Sequence, residues 1–539
     1  MYIMKKRHFY EKNQKFLQHP VNREFSDILT MSDKDFSSWV IEMREVVVDL
    51  WDNEGLPPRV GYNEGEIVKQ FDKMSTFPVH KFSVVDEYTG ENNCIRNTSN
   101  LGNAANQWFP TMMKTRINYK ANDDGLSIYD HFIKDDLLEK VIKYARRHFK
   151  RDSFYAYSRP VQAENPDDFF YSACTGVEWI EKFKSSEYDY WIQPYDIKKE
   201  YTGYDSVRNT KEVSTLDGET VTHSSSIKDR EFLTLTKAEL ELLNLPKHRL
   251  TNAIDSEHYW IRMYKKENNK LFPSGLKAFR ISWCQYAVNF PPLTAKYLYE
   301  KYTDSGKLSN IWDPSAGWGG RILGAMAVKD DRSIHYIGND PNTDHTIEDG
   351  LTKYHDLATF FNTRTTRANP NLAFFDDNAG PNTFEIHQLG SEVMQYNPEF
   401  QTYKGKIDLV FTSPPYFAKE AYSEDEEQSY KKFGTYGLWR DGFLKPTLET
   451  AYEWLRPGGY LLWNIADAKF GKDVLPLEGD SRSILKNLEM EYVTTEKMCL
   501  AQMPGGNRIG DDGKPKTKNF CKVKGMWLKY EPVFVYRRK

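Results

Sequence analysis

The chain has 539 residues, and its 73 Lys and Arg nearly balance 77 Asp and Glu, leaving a net charge of -4. That length holds about two to four domains, and the balance excludes a chain that binds polyanions through its overall charge, so any nucleic-acid footprint must be a local patch. The absence of an apolar run long enough to span a bilayer excludes a membrane helix.

The N-terminal stretch MYIMKKRHFYEKNQ is basic but lacks the apolar segment of a signal peptide. Cys94, Cys174, Cys284, Cys499 and Cys521 form no C-x-x-C pair, which argues against structural zinc and against a disulfide framework. A reducing compartment follows, and cytoplasm is the expected location, bacterial or phage-infected.

Residues 1–275 carry no motif that ties to chemistry. Apolar spacing predicts helices over Phe36–Trp51 and Asp135–Arg151. The second ends in Lys140, Lys143, Arg146, Arg147, Lys150 and Arg151, a cluster that suits either phosphate contact or a solvated helix end. Tyr201–Arg230 is rich in Ser and Thr and reads as a loop or hairpin. Lys265–Ser274 (KKENNKLFPS) reads as a boundary. These residues are expected to form an α+β accessory domain.

From 276 onward the motifs become dense. Asn289-Phe290-Pro291-Pro292 opens a predicted helix through Tyr302, with prolines where a first turn tolerates them. A strand then ends in Asp313-Pro314-Ser315-Ala316-Gly317-Trp318-Gly319-Gly320, and the apolar helix Ile322–Val328 follows. Strand, glycine-rich turn and helix make the opening unit of a Rossmann-like domain, where the missing Cβ lets backbone approach a ligand. A second strand, His335–Asn339, ends at Asp340, an acidic residue placed to accept ribose hydroxyls. A helix is predicted over Thr343–Phe361. A third strand, Phe384–Gln388, leads to Gly390-Ser391-Glu392, where Glu392 is a candidate acceptor for an adenine amine.

The fourth strand, Leu409–Phe411, runs into Thr412-Ser413-Pro414-Pro415-Tyr416. Two prolines fix two φ angles and remove two donors, so the chain leaves the sheet stiff and extended. Ser413 and the Pro414 carbonyl can accept hydrogen bonds from an NH2 group, and Tyr416 offers a ring on which a flipped base can stack. The acidic run Ser423–Glu427 reads as an exposed, mobile lid. Phe443–Leu455 reads as a helix stopped by Arg456-Pro457-Gly458-Gly459, and Tyr460–Ile465 as strand five. The tail is expected to hold a strand near Val493–Leu500 and two short strands joined at Tyr530-Glu531-Pro532. From Gly505 to Lys539 ten Lys and Arg outweigh three Asp and Glu, a local charge of +7 (10 − 3) that suits phosphates.

Together these residues resemble the S-adenosylmethionine-dependent DNA methyltransferases that modify exocyclic amines, cytosine N4 or adenine N6. DPSAGWGG is similar to their cofactor motif and TSPPY to their catalytic motif; the resemblance covers the C-terminal half. It implies an α/β, Rossmann-like domain with a mostly parallel central sheet at 276–539, and target recognition in 1–275. S-adenosylmethionine is the implied cofactor, held by Phe290, Pro291, Asp313, Pro314, Ala316, Gly317, Gly319, Gly320, Asp340 and Glu392. Ser413, Pro414, Pro415 and Tyr416 are the implied catalytic residues, with no metal. Duplex DNA is the implied partner, its target base flipped, and a restriction nuclease is a compatible one. Ser at the first motif position favours cytosine N4 over adenine N6. The alternatives are a methyltransferase for RNA or protein glutamine, or an inactive DNA-binding relative.

Overall fold

The computed structural model describes residues 16–54, 62–117, 125–134, 137–140, 142, 188–195, 210–214, 220–224, 234–242, 258–265, 270, 287–329, 332–348, 350–364, 381–470, 473–500, 515 and 518–539. Most of the basic stretch 135–151, most of the 265–274 boundary and most of 501–517 lie outside these residues.

Two compact units emerge. The first draws on both sides of residue 275, since Gly61–Ser127 packs together with Gln285–Lys539. Its centre is a ten-stranded sheet made of β1 (Ser83–Val84), β2 (Cys94–Ile95), β3 (Leu308–Asp313), β4 (Ser333–Asn339), β5 (Thr383–His387), β6 (Ile407–Thr412), β7 (Leu455–Asn464), β8 (Glu491–Cys499), β9 (Phe520–Val523) and β10 (Met526–Arg537). The spatial order is β1-β2-β8-β10-β7-β6-β3-β4-β5, with β9 pairing β10. Strands β5, β4, β3, β6 and β7 run parallel, while β10 lies antiparallel between β7 and β8. This is the mostly parallel Rossmann-like sheet expected for the C-terminal half.

Alternation along the central strands explains the two covered faces. Ile311, Tyr336, Leu409, Phe411 and Leu462 join one apolar cluster; Trp312, Ile337, Val410, Leu461 and Trp463 join the other. Onto the first face pack α1 (Glu64–Ser75), α2 (Pro292–Tyr302), α3 (Gly320–Met326) and α4 (Lys353–Arg364). Helix α1 starts at a capping box between Asn63 and Glu66 and buries Ile67, Phe71 and Met74. Helices α5 (Lys445–Trp454) and α6 (Leu477–Asn487) cover the second face.

Three elements differ from expectation. The predicted helix Thr343–Phe361 begins only at Lys353. Before it come a 3₁₀ turn, Thr343–His345, and a hairpin pairing Thr346–Glu348 with Leu351–Thr352. The β-branched Thr346, Ile347 and Thr352, with Gly350 at φ +74°, favour the hairpin. The two short tail strands are one, because Pro532 removes a donor without interrupting the pairing of β10 with β8. Strand β7 already begins at Leu455, ahead of the glycines expected only to stop a helix.

The second unit holds Glu11–Val60 and Ile128–Cys284. Its helix Asp33–Glu54 contains the span predicted at Phe36–Trp51, and Trp51 meets the Tyr129 ring edge-on at 5.0 Å. Strand Tyr188–Tyr195 pairs antiparallel with His258–Lys265, which also pairs Thr234–Thr236. The polar stretch near 201–230 contains a hairpin, Thr210–Ser214 against Thr220–Ser224. Among the described residues no helix is long and apolar enough to cross a membrane.

Candidate active site

Because β3, β4, β5 and β6 are parallel, their carboxyl ends share one edge of the sheet. The chain passes from β3 to β4 and β5 on one side, then returns to place β6 on the other side of β3. This reversal opens a crevice outside the ends of β3 and β6, where such sheets bind ligands. The loops there are Pro314–Gly319 after β3 and Ser413–Tyr416 after β6.

Asp313 anchors the first loop from beneath. Its Oδ2 accepts from Arg321 Nε at 2.7 Å and from the Tyr336 hydroxyl at 2.6 Å, and its Oδ1 accepts from the Ser315 amide at 3.3 Å. Burial alone would pull the Arg321 guanidinium down, but Asp313 beside it outweighs that and keeps it charged. Burial, then the Asp313 charge, holds the Tyr336 phenol well above its usual range, so it stays a donor.

The glycines meet specific demands. Gly317 and Gly319 adopt φ of +62° and +75°, left-handed values that suit glycine. A Cβ on Gly319 would also lie 2.6 Å from the Phe109 ring, and one on Gly320 would run into the Phe290 carbonyl oxygen. Gly320→Ala should therefore cost about 1–3 kcal/mol, the range for overpacking. A lowered urea midpoint with unchanged slope would register that cost; an unchanged midpoint would show that the turn can relax.

Phe290 is buried with its ring edge-on to Phe411 at 5.3 Å, and Pro291 is the exposed cap of α2. Pro314 is buried and its carbonyl accepts from Asn339, while the Ala316 amide donates to the Asn339 carbonyl at 3.0 Å.

Asp340 lies half-buried at the end of β4. Its oxygens accept from the Gly317 amide at 3.0 Å and the Asn342 amide at 3.1 Å. Burial pushes its carboxyl up to about 6, against the pull of these two amides. Glu392 is 6% exposed; its Oε1 meets Lys432 Nζ at 3.1 Å, whereas its Oε2 is buried without a hydrogen-bond partner among the described residues.

In the second loop Pro414 is buried, while Ser413, Pro415 and Tyr416 are half-buried. Among the described residues neither the Ser413 hydroxyl nor the Pro414 carbonyl has a hydrogen-bond partner, so both acceptors remain available. Burial, then the charges of Glu531 and Glu420, hold the Tyr416 phenol well above its usual range. Phe417 follows at φ +53°, a strained value for a residue with a side chain, and packs against Tyr436, Trp439 and Phe470.

Several residues that organise the site escaped the sequence. Asn339 ties two loops to β3, donating to the Pro314 and Leu389 carbonyls at 3.0 Å each and accepting from Trp312 Nε1 at 2.8 Å. Asn289 donates to the Trp318 carbonyl at 2.8 Å and accepts from the Gly320 amide at 3.1 Å. A relay runs from Thr111 through His345 and the Tyr354 hydroxyl to the Gly317 carbonyl. Burial, helped by Lys353, lowers His345 to about 3, so its ring is neutral. Their only signal was position, a polar residue beside each motif. The acidic run is anchored: Asp425 accepts from the Thr343 hydroxyl at 2.6 Å and its amide at 3.0 Å.

Residues 407–531, from β6 into β10, match the family model described as DNA methylase. No curated protein matches the chain. Similar solved structures include a Thermus thermophilus protein assigned as a DNA modification methylase, complexed with S-adenosyl-L-methionine. It is 20% identical, with 28% of this chain and 52% of that one covered and a TM-score of 0.18. Another is a Thermotoga maritima SAM-dependent O-methyltransferase, 11% identical over 64% of this chain and 97% of that one, with a TM-score of 0.24. The chain spans 49% of a second T. thermophilus structure and 66% of one from Bordetella parapertussis.

Proposed function

We propose that this protein is a DNA methyltransferase that moves a methyl group from S-adenosylmethionine to an exocyclic amine of a flipped base, cytosine N4 by preference. The observation that carries it is the Ser413–Tyr416 loop. It stands at the sheet's reversal point, inside the stretch that matches the DNA methylase family, with its amine acceptors unpartnered among the described residues.

The residues fit the cofactor. The Pro314–Gly319 turn admits close backbone approach, Asp340 presents a half-buried carboxylate to ribose hydroxyls, and the orphaned Glu392 Oε2 can accept an adenine amine. Asp313 and Gly320 act on that turn from behind. When bound, the cofactor supplies an electrophilic methyl on a sulfonium.

Ser413 and the Pro414 carbonyl then accept the two N–H bonds of the target amine and draw its lone pair out of ring conjugation. Tyr416 supplies the stacking face, and the stiff prolines hold amine and methyl in line. Residues 1–275, apart from the Gly61–Ser127 segment that packs into the first unit, and the basic tail take the DNA backbone and the target sequence.

Asp340 gives this reading a pH signature. Its ionised form accepts the ribose hydroxyls, so below about pH 6 binding must expel a proton. Cofactor affinity should fall as pH drops through that value. Asp340→Asn should flatten the dependence and weaken binding at neutral pH by about 1.5–3 kcal/mol. Calorimetry across pH checks both, and a pH-independent wild type would remove Asp340 from the ribose site.

The function itself is tested with methyl-labelled cofactor and duplex DNA, digested to nucleosides, with RNA and protein as parallel substrates. N4-methylcytosine is expected. N6-methyladenine would overturn the base preference, and label in RNA or protein alone would overturn DNA as substrate.

A further inference from the structure

Cys94 on β2 stands more than 400 residues before Cys499 at the end of β8 and Cys521 on β9, yet the three sulfurs all lie within 4.8 Å of one another. The Sγ atoms of Cys499 and Cys521 are 3.6 Å apart. Cys94 and Cys521 are fully buried, and Val523 and Leu528 join them in a small apolar cluster. A metal about 2.3 Å from each thiolate sets sulfur separations of about 3.8–4.0 Å, so three thiols at these distances need move little to share one ion.

A second observation concerns charge. Arg96 follows Cys94 by two residues and so projects from the same side of the extended chain. Its Nη1 is buried without a hydrogen-bond partner among the described residues, and its charge favours the thiolate of Cys499. Lys497, paired with Asp86 at 2.6 Å, is a second cation close to the group. A buried guanidinium nitrogen with no partner is costly, and a bound thiolate complex supplies the negative charge it lacks. With no ion present, the thiols' hydrogen bonds with one another and their burial hold all three up to about 12.

We propose that Cys94, Cys499 and Cys521 form a three-thiolate site for one soft metal ion, zinc(II) or copper(I). Binding exchanges three S–H bonds for three metal–sulfur bonds and releases three protons to solvent. The ion would staple β2, from the early segment, to β8 and β9. Its three ligands lie on β2, β8 and β9, none of which carries the Ser413 loop, and it does not depend on the proposed reaction. No fourth His, Cys, Asp or Glu among the described residues joins the group, which leaves a trigonal set or one open position.

The test uses the full chain, purified with a reductant and without chelator. Metal analysis should find one equivalent of zinc or copper. The stripped protein should take up one cobalt(II) with thiolate charge-transfer absorption, or one copper(I) with the matching ultraviolet band, and which ion binds at submicromolar concentration distinguishes the two. Cys94→Ser, Cys499→Ser and Cys521→Ser should each lose the band while keeping cofactor binding. Cofactor binding thereby serves as the check on folding. A wild-type chain that gives no charge-transfer band with either ion would overturn the site, whatever the variants do. So would a mass lower by two hydrogens, the mark of a Cys499–Cys521 disulfide, in the protein isolated under reductant.

Discussion

Replacing Ser413 with alanine should slow methyl transfer by about 10² to 10³, the loss expected when one preorganised transition-state contact is removed. The hydroxyl has no partner among the described residues, so its removal breaks nothing else there. Stability and cofactor affinity should therefore stay near wild type, and the defect should appear in single-turnover rate rather than in binding. Tyr416→Ala should differ by weakening capture of the base as well, by about 1–3 kcal/mol. A fluorescent base at the target position separates capture from chemistry. Full activity in Ser413→Ala would show that the Ser413–Tyr416 loop is a structural turn.

Asp313→Ala should produce the largest loss of stability, about 3–5 kcal/mol, the range for stripping one partner from a buried ion pair. Arg321 is 4% exposed and Asp313 wholly buried, so water cannot replace the lost carboxylate. The Tyr336 hydroxyl and the Ser315 amide lose their acceptor in the same step. Urea unfolding should show the midpoint fall. Replacing Arg321 with methionine in the same chain should recover part of the loss, because no unpaired charge then remains. If Asp313→Ala alone keeps the wild-type midpoint, the pair does not hold the loop.

What the sequence made legible follows from where local chemistry dominates. The places of the glycine turn after β3, of Asp340 after β4 and of the Pro-Pro loop after β6 were readable because each depends on residues adjacent in the chain. The central strands were readable because both sheet faces are covered and each strand is a short apolar run. The role of Gly61–Ser127 was not readable. Its Phe71, Trp108 and Phe109 show ordinary apolar spacing, and nothing local says that they pack against α3 and α4. Asn339 and Asn289 were missed for a related reason, since their partners lie in other loops. The hairpin after Thr343 was lost to the apolar period of the helix that follows it.

The place of β10 bears on how the chain reaches this state. Strand β7 is complete at Asn464, but the strand that pairs its open edge ends at Arg537, 73 residues later (537 − 464). At ribosomal speeds of roughly 5–20 residues per second, that edge waits on the order of 4–15 s for its partner. During this interval a nascent chain exposes the ladder groups of β7 beside Leu461 and Trp463, an invitation to pair with a neighbouring polypeptide. Closure also brings together segments far apart in sequence, and such topologies fold slowly. Yield in a cell should thus depend on chaperone supply and synthesis rate more than on the final stability of the protein.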